Sequence, residues 1–368
     1  MVAERRSVGV EEEFLLVDPG DGAARAIAAT VLRLDGASAR TEPQDGSGLE
    51  AELHAEQLET GTEPCVDLDE LAAELGRTRA HAAEAADAVG AAVAALGTYP
   101  LAIDATAFPK DRNLRVLERF ALTGREQLTC GCHVHVGVAD DEEAVAALDR
   151  IRPWLPPLLA LSVNSPFWAG EDSGYASFRS QVWSRWPSAG PYGLFGSAAG
   201  YRRVTAAMLA TETLVDDGML YFDARVSQRH PTLEFRIADV CHDRADAVLV
   251  AALARGLVDT AVREWRAGRG PDPVRVEELR LHTWRAARSG SSGELVDPTT
   301  GRPAPAAAVV ERLVEHVGAA LEESGDLARV RELLGAVSAR GTGADRQRSV
   351  FAETGDLRAV IKDATVGR

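Results

Sequence analysis

The chain is almost without lysine. Lys110 and Lys362 stand alone among 368 residues, and the remaining 38 of the 40 cationic side chains are arginine. Neither lysine completes a GxxxxGK[ST] pattern, which excludes a P-loop, and a Schiff-base enzyme has few candidates. Cysteine is scarce as well: Cys65, Cys130, Cys132 and Cys241 form no secreted disulfide framework. Cys130 and Cys132 are spaced CxC with no second pair, so no cysteine zinc cage is complete. No apolar run reaches ~18 residues, and MVAERRSVGVEEE carries no hydrophobic signal region; the expectation is a cytoplasmic protein with no membrane partner. Positive charge is in deficit, with 40 cations against 56 acids and a net charge of −16. That balance opposes nucleic acid as a partner and suits a site that collects divalent cations. Hydrophobic residues make up 46% of the chain, enough for a sizeable core, so general disorder is excluded.

Length alone suggests two or three domains, but no repeat or dividing linker is present, and a single domain over 1–368 is expected, with a polar tail after about 340. Residues 7–17 (SVGVEEEFLLV) read as a strand ending at a Pro-Gly turn. In residues 48–60 (GLEAELHAEQLET) the alternation slips, as a bulge would cause. Residues 67–96 read as a long Ala-rich helix, and TYPLAID as the next strand. Residues 127–138 (QLTCGCHVHVGV) and 231–240 (PTLEFRIADV) alternate as half-buried strands. Helices are expected at about 141–163, 198–214, 244–267, 306–322 and 326–339, with a loop over 268–306 around a short helix near 276–287. This order favours α+β with a largely antiparallel sheet.

Period-two geometry sorts the chemistry-bearing residues by face. Glu11 and Glu13 share one face of the first strand, either as a solvated polar surface or as a cation site. Glu12 falls on the apolar face and requires an arginine partner or a bulge. His133 and His135 lie together beside Gly131 and Gly137, whose missing side chains leave space above the sheet; Cys130 and Cys132 point into the core. The histidines are either satisfied structural residues or ligands. Glu234 and Arg236 lie opposite Leu233, Phe235 and Ile237, either as a surface ion pair or as cation and anion binders. The stretch from Asn164 to Pro187 holds Trp168, Trp183, Trp186, Arg179 and Arg185, and suits both a core anchor and a substrate lid with an arginine clamp. Glu52, Glu56 and Glu59 follow in the irregular strand. GTGADRQR (341–348) reads as a flexible tail or an anion-binding loop with Arg346 and Arg348. A sheet face carrying this many carboxylates and imidazoles is costly without a ligand, and phosphate-bridging Mg²⁺ or Mn²⁺ suits the donor set better than zinc.

GVEEEFLLVD, CGCHVHVGV, NSPFWAGEDSGYASFRSQVWSRWP, SQRHPTLEFRIADVC and GTGADRQR together resemble the carboxylate–amine ligases of the glutamate–cysteine ligase type 2 family, in the family's order from residue 8 to about 348. The resemblance implies a curved, largely antiparallel sheet funnel flanked by helices. It also implies a reaction in which ATP phosphorylates a carboxylate, glutamate's γ-carboxylate in the parent activity, and an amine such as cysteine attacks the acyl phosphate. Glu11, Glu13, His133 and Glu234 are the implied metal ligands, joined by Glu52 and Glu59. Arg236 and Arg179 are implied to hold the transferred phosphate or the substrate carboxylate. His135, Arg185, Arg225, Arg346 and Arg348 are implied to line the substrate or phosphate pocket. A small-molecule kinase on the same scaffold and a non-catalytic metal- or nucleotide-binding regulator are the competing readings. A homodimer is a further expectation.

Overall fold

The computed structural model describes residues 5–36 and 48–367. Its organising element is a seven-stranded sheet built from β1 (Val8–Val17), β2 (Gly48–Glu50), β3 (Gln57–Gly61), β4 (Ala92–Ala94), β5 (Gly131–Gly137), β8 (Ala224–Val226) and β9 (Thr232–Asp239). Between β5 and β8 a short hairpin supplies β6 (Phe167–Trp168) and β7 (Glu171–Asp172). The strand order is β2-β3-β1-β5-β9-β8, with β4 also on β1, and every pairing is antiparallel. This is the mixed, antiparallel architecture expected from the sequence.

One face of the sheet is apolar. Val8 and Val10, Cys132, Val134 and Val136, and Leu233, Phe235 and Ile237 are all buried there. Helices cover it: α2 (Leu68–Asp87), α5 (Asp141–Ile151), α6 (Leu155–Ser162), α9 (Arg244–Arg266) and α11 (Ala306–Ser324). The central one, α9, starts at an Asp243 cap that accepts from Ala245 N–H and then buries most of its first five turns. Among the described residues no helix is long and apolar enough to cross a membrane.

Several expectations change. The long helix ends at Asp87, because Ala91–Leu96 is apolar all round and fully buried as β4 and its flanks; a short continuous apolar run does not reveal its period. TYPLAID forms no strand: Pro100 interrupts it, and only Thr98 makes a bridge, to Thr129. The slip in 48–60 is a hairpin, with β2 folding onto β3 across residues 51–56, and the bulge lies elsewhere. It falls on β9, where Cys132 pairs with Ala238 but Val134 pairs with Phe235, so one residue of β9 is extra. The 141–163 helix breaks into α5 and α6 at a 3₁₀ turn containing Pro153. Residues 268–306 hold the helix α10 (Val276–Ser289) and the hairpin β10 (Glu294–Asp297) and β11 (Arg302–Pro305). The helix expected at 326–339 is α12 (Leu327–Arg340), and the expected polar tail beyond it is helical too, as α13 (Gly343–Thr354) and α14 (Leu357–Asp363). Thr342 and Asp345 form a reciprocal capping box that starts α13, a T-x-x-D signature readable in the sequence.

Candidate active site

The sheet's other face carries the chemistry, and the pairing register assembles it. Glu11 lies opposite His133, Glu13 opposite Glu59, Glu59 opposite Glu50, His135 opposite Glu234, and Glu234 opposite Arg225. Residues with no proximity in sequence thus form one continuous band. Glu52 joins it from the β2–β3 connection. Three sets of donor atoms result, each within 4.8 Å: Glu11, Glu59 and His133; Glu11, His135 and Glu234; and Glu13, Glu52 and Glu59.

The band is held at close range. His133 Nδ1 lies 3.4 Å from Glu11 and 3.9 Å from Glu59, and its Nε2 lies 3.6 Å from Glu13. His135 Nδ1 hydrogen-bonds Thr232 Oγ1 at 2.8 Å, which leaves Nε2 3.3 Å from Glu11. Among the described residues Nε2 of both rings is buried without a hydrogen bond, and Glu13 accepts Gly131 N–H at 2.5 Å.

Charge on this face is unbalanced. Burial and the neighbouring Glu52 push Glu13 up to about 7, against the pull of Arg179. Burial together with Glu52, Glu11 and Glu13 drives Glu59 well above the usual carboxylate range. Burial and the nearby Arg236 push His133 down to about 4, so the ring is neutral and able to donate a lone pair. Glu11 and Glu234 go the other way. Burial opposes their charge, but His135 and His133 hold Glu11 low, and Arg236 and Arg225 do the same for Glu234.

The six residues expected to be metal ligands therefore meet on one face, and His135, expected only to line the pocket, sits among the donors. The arginines divide. Arg236 pairs with Glu234, while its Cζ lies 5.8 Å from the ring centres of Trp183 and Tyr221 and its Nε has no partner. Arg179, on the short helix α7 (Arg179–Trp183), stacks 5.4 Å over Trp183 and sits above Gly131. A Cβ at Gly131 would come within 2.3 Å of its guanidinium, so the space expected for a ligand beside this glycine belongs to Arg179. Arg225 binds Glu234 at 2.6 and 3.2 Å and the carbonyls of Gly218 and Leu220, which occupies its donors. The other three lie outside the band. Arg185 pairs with Glu126, Arg346 with Asp363, and Arg348 with Asp172 at 2.7 Å.

Glu12 shows the opposite solution on the same strand. Fully buried on the core face, it receives two hydrogen bonds from Arg79 of α2, at 2.6 and 2.8 Å, and Arg79 also donates to the carbonyls of Cys241 and His242. This is the arginine partner that strict alternation required.

Two buried acids were not singled out by sequence reasoning. Plain alternation groups Asp239 with Phe235 and Ile237, but the bulge turns it over, where it accepts from Asn164 N–H and the Ser165 and Ser177 hydroxyls and lies 3.9 Å from Arg179. Asp223 precedes β8; Phe222 and Ala224, its neighbours, lie in the core, so Asp223 shares the face of Arg225. The alternation around Ala224 was the available signal.

Solved structures with this architecture define its class. The glutamate–cysteine ligase of Francisella tularensis, in complex with AMP, matches with a TM-score of 0.67 at 12% identity, over 98% of this chain and 87% of that one. A bifunctional glutathione synthetase from Pasteurella multocida matches with a TM-score of 0.69 at 16% identity, over 98% of this chain and 52% of that one. The fold is therefore that of glutamate–cysteine ligases. Sequence comparison is more specific: residues 7–363 match the glutamate-cysteine ligase family 2, and the chain belongs to that family. A Streptomyces coelicolor protein named "Putative glutamate--cysteine ligase 2" is 54% identical over 97% of both chains. A Streptomyces avermitilis relative, "Putative glutamate--cysteine ligase 2-1", is 51% identical over 97% of this chain and 98% of its own. Family and fold together support a carboxylate–amine ligase.

Proposed function

We propose that the protein uses ATP to convert a carboxylate into an acyl phosphate, which an amine then attacks to give an amide and phosphate. Glutamate with cysteine is the parent substrate pair for the family name. The observation that carries this reading is the band of Glu11, Glu13, Glu52, Glu59, His133 and Glu234 flanked by Arg179 and Arg236. Carboxylates in excess, with two buried imidazole nitrogens lacking partners, fit Mg²⁺ or Mn²⁺. These six residues would hold the ions, which supply the neutralising charge that lets a carboxylate approach a polyphosphate.

The chain's own contribution is positioning and electrostatics. Neutral His133 adds no repulsion toward cations. The Arg236 guanidinium lies over the rings of Trp183 and Tyr221, with Nε buried and uncommitted among the described residues, available to charge that develops during transfer. Asp239 anchors the loop bearing Arg179 through Ser165 and Ser177. No side-chain nucleophile is required, and Cys132 lies on the core face with Val134 and Val136.

The test is ADP release with Mg²⁺ and ATP, scanning amino acids singly and in pairs with glutamate plus cysteine included. Under this reading ADP appears with an acid and an amine together and matches a new amide mass. ADP from a single acceptor with a stable phosphorylated product would replace the ligase by a kinase. ATP binding without turnover across the panel would point to a regulator.

A further inference from the structure

We infer that Asp223 is the recognition group for the protonated amino group of the attacking substrate; this rests on the ligase reading above. The side chain is 7% exposed, and among the described residues no hydrogen bond or ion pair reaches its carboxylate. Its main chain, by contrast, is tied at both ends: Asp223 N–H donates to Gly190 and its carbonyl accepts from Arg236 N–H. The fold thus fixes this residue firmly while giving its carboxylate no hydrogen-bond donor among the described residues, which leaves the group open to a ligand. Burial pushes the carboxyl up to about 7, and Arg179 is the charge that draws it back.

The missing partner is an organic cation. Among the described residues none of the three potential metal sets includes Asp223, and its neighbour across the β8–β9 pair is Arg236. A nucleophilic amine must approach a phosphate held by Arg179 and Arg236. In its protonated form it is repelled by both guanidiniums, and a carboxylate near Arg179 that no side chain hydrogen-bonds offsets that repulsion. Asp223 is the buried acid placed to do so. Asp223 therefore suits the ammonium group of an amino-acid second substrate.

Hydroxylamine separates this role from others, because it is mostly uncharged at neutral pH and needs no ammonium site. Each of the twenty common amino acids is offered as the acid, with hydroxylamine or a second amino acid as nucleophile, to the wild type and to Asp223→Asn. The variant is expected to keep hydroxamate formation within about threefold. Its KM for the amino-acid nucleophile should rise roughly 10- to 100-fold, as for loss of one charged hydrogen bond, with KM for ATP unchanged. Its melting temperature should equal or exceed that of the wild type, since an unpaired buried charge is removed. Equal losses with both nucleophiles would overturn the inference, assigning Asp223 to the acid or phosphoryl half. So would an unchanged amine KM, or a melting temperature several degrees lower, which would mean the carboxylate is paired within the protein. A wild type that forms no hydroxamate from any acid overturns the ligase reading itself, a result distinguishable from the others.

Discussion

Strand β1 places two kinds of buried acid on its two faces. Glu12 points to the helices and meets one guanidinium, which satisfies both its oxygens at 2.6 and 2.8 Å. Glu11 and Glu13 point the other way, toward Glu59 and Glu52, with carboxylates outnumbering the cations in reach. Residue type and strand are alike, and for Glu12 and Glu13 the depth as well; the partners differ. A buried charge that the protein itself completes serves the fold, whereas one left incomplete is held for a ligand.

Breaking the completed pair should have the largest effect. Arg79→Met strands Glu12 in the core and is expected to cost about 3–5 kcal/mol, read as a lower urea midpoint. The double variant Arg79→Met with Glu12→Leu should recover much of that loss. The incomplete face should respond in the opposite sense. Glu11→Gln is expected to lower turnover by roughly 10²–10³-fold, on the order of 3–4 kcal/mol in the transition state, while the metal-free protein stays folded. Loss of folding in Glu11→Gln would show that the two faces do not differ as argued.

The pH dependence of the metal-free protein sharpens the contrast. Glu13, at about 7 against its ordinary 4.5, and Glu59, also well above 4.5, bind protons in the folded state that the unfolded chain has released. Their effect is falling stability as pH rises past 4.5. His133, at about 4 against 6.5, works the other way between those values, because the unfolded ring takes up the proton first. Above about pH 6.5 that opposition ends. His135, raised by Glu11 against the pull of burial, then adds to the decline. Thermal unfolding in chelator should therefore show stability falling as pH rises above about 6.5, a slope that Glu59→Gln flattens and Mg²⁺ reduces. A flat or rising profile would refute the imbalance. The smallest effect belongs to Arg346→Ala, an exposed side chain paired with half-buried Asp363; stability should change by no more than about 1 kcal/mol, and turnover should hold. A large loss of activity there would restore the residue to the phosphate pocket.

Much of the band was legible because a strand's period is local. Alternation alone put Glu11 with Glu13, His133 with His135, and Glu234 with Arg236, and it marked Glu12 as needing a cation. The arginines were harder. Arg179 and Arg185 are six positions apart in one tryptophan-rich segment, yet the first enters the band and the second pairs with Glu126. Arg348 looked like part of an anion-binding loop, but a capping box makes that segment a helix, and Asp172 takes the side chain. Long, flexible cationic side chains can reach several partners, and local pattern does not choose among them.

The sequence by itself determined the antiparallel strands, the face on which each acid and imidazole stands, and the absence of a P-loop, because these depend on backbone period and residue type. Tertiary structure alone decided that Arg79 completes Glu12, that Glu52 and Glu59 close on Glu13, and that a bulge in β9 turns Asp239 toward Arg179. Among the described residues it also left the Asp223 carboxylate without a hydrogen bond. Those outcomes depend on register and on which distant segments pack together, and a one-residue shift in pairing reverses a side chain's face without leaving a local trace.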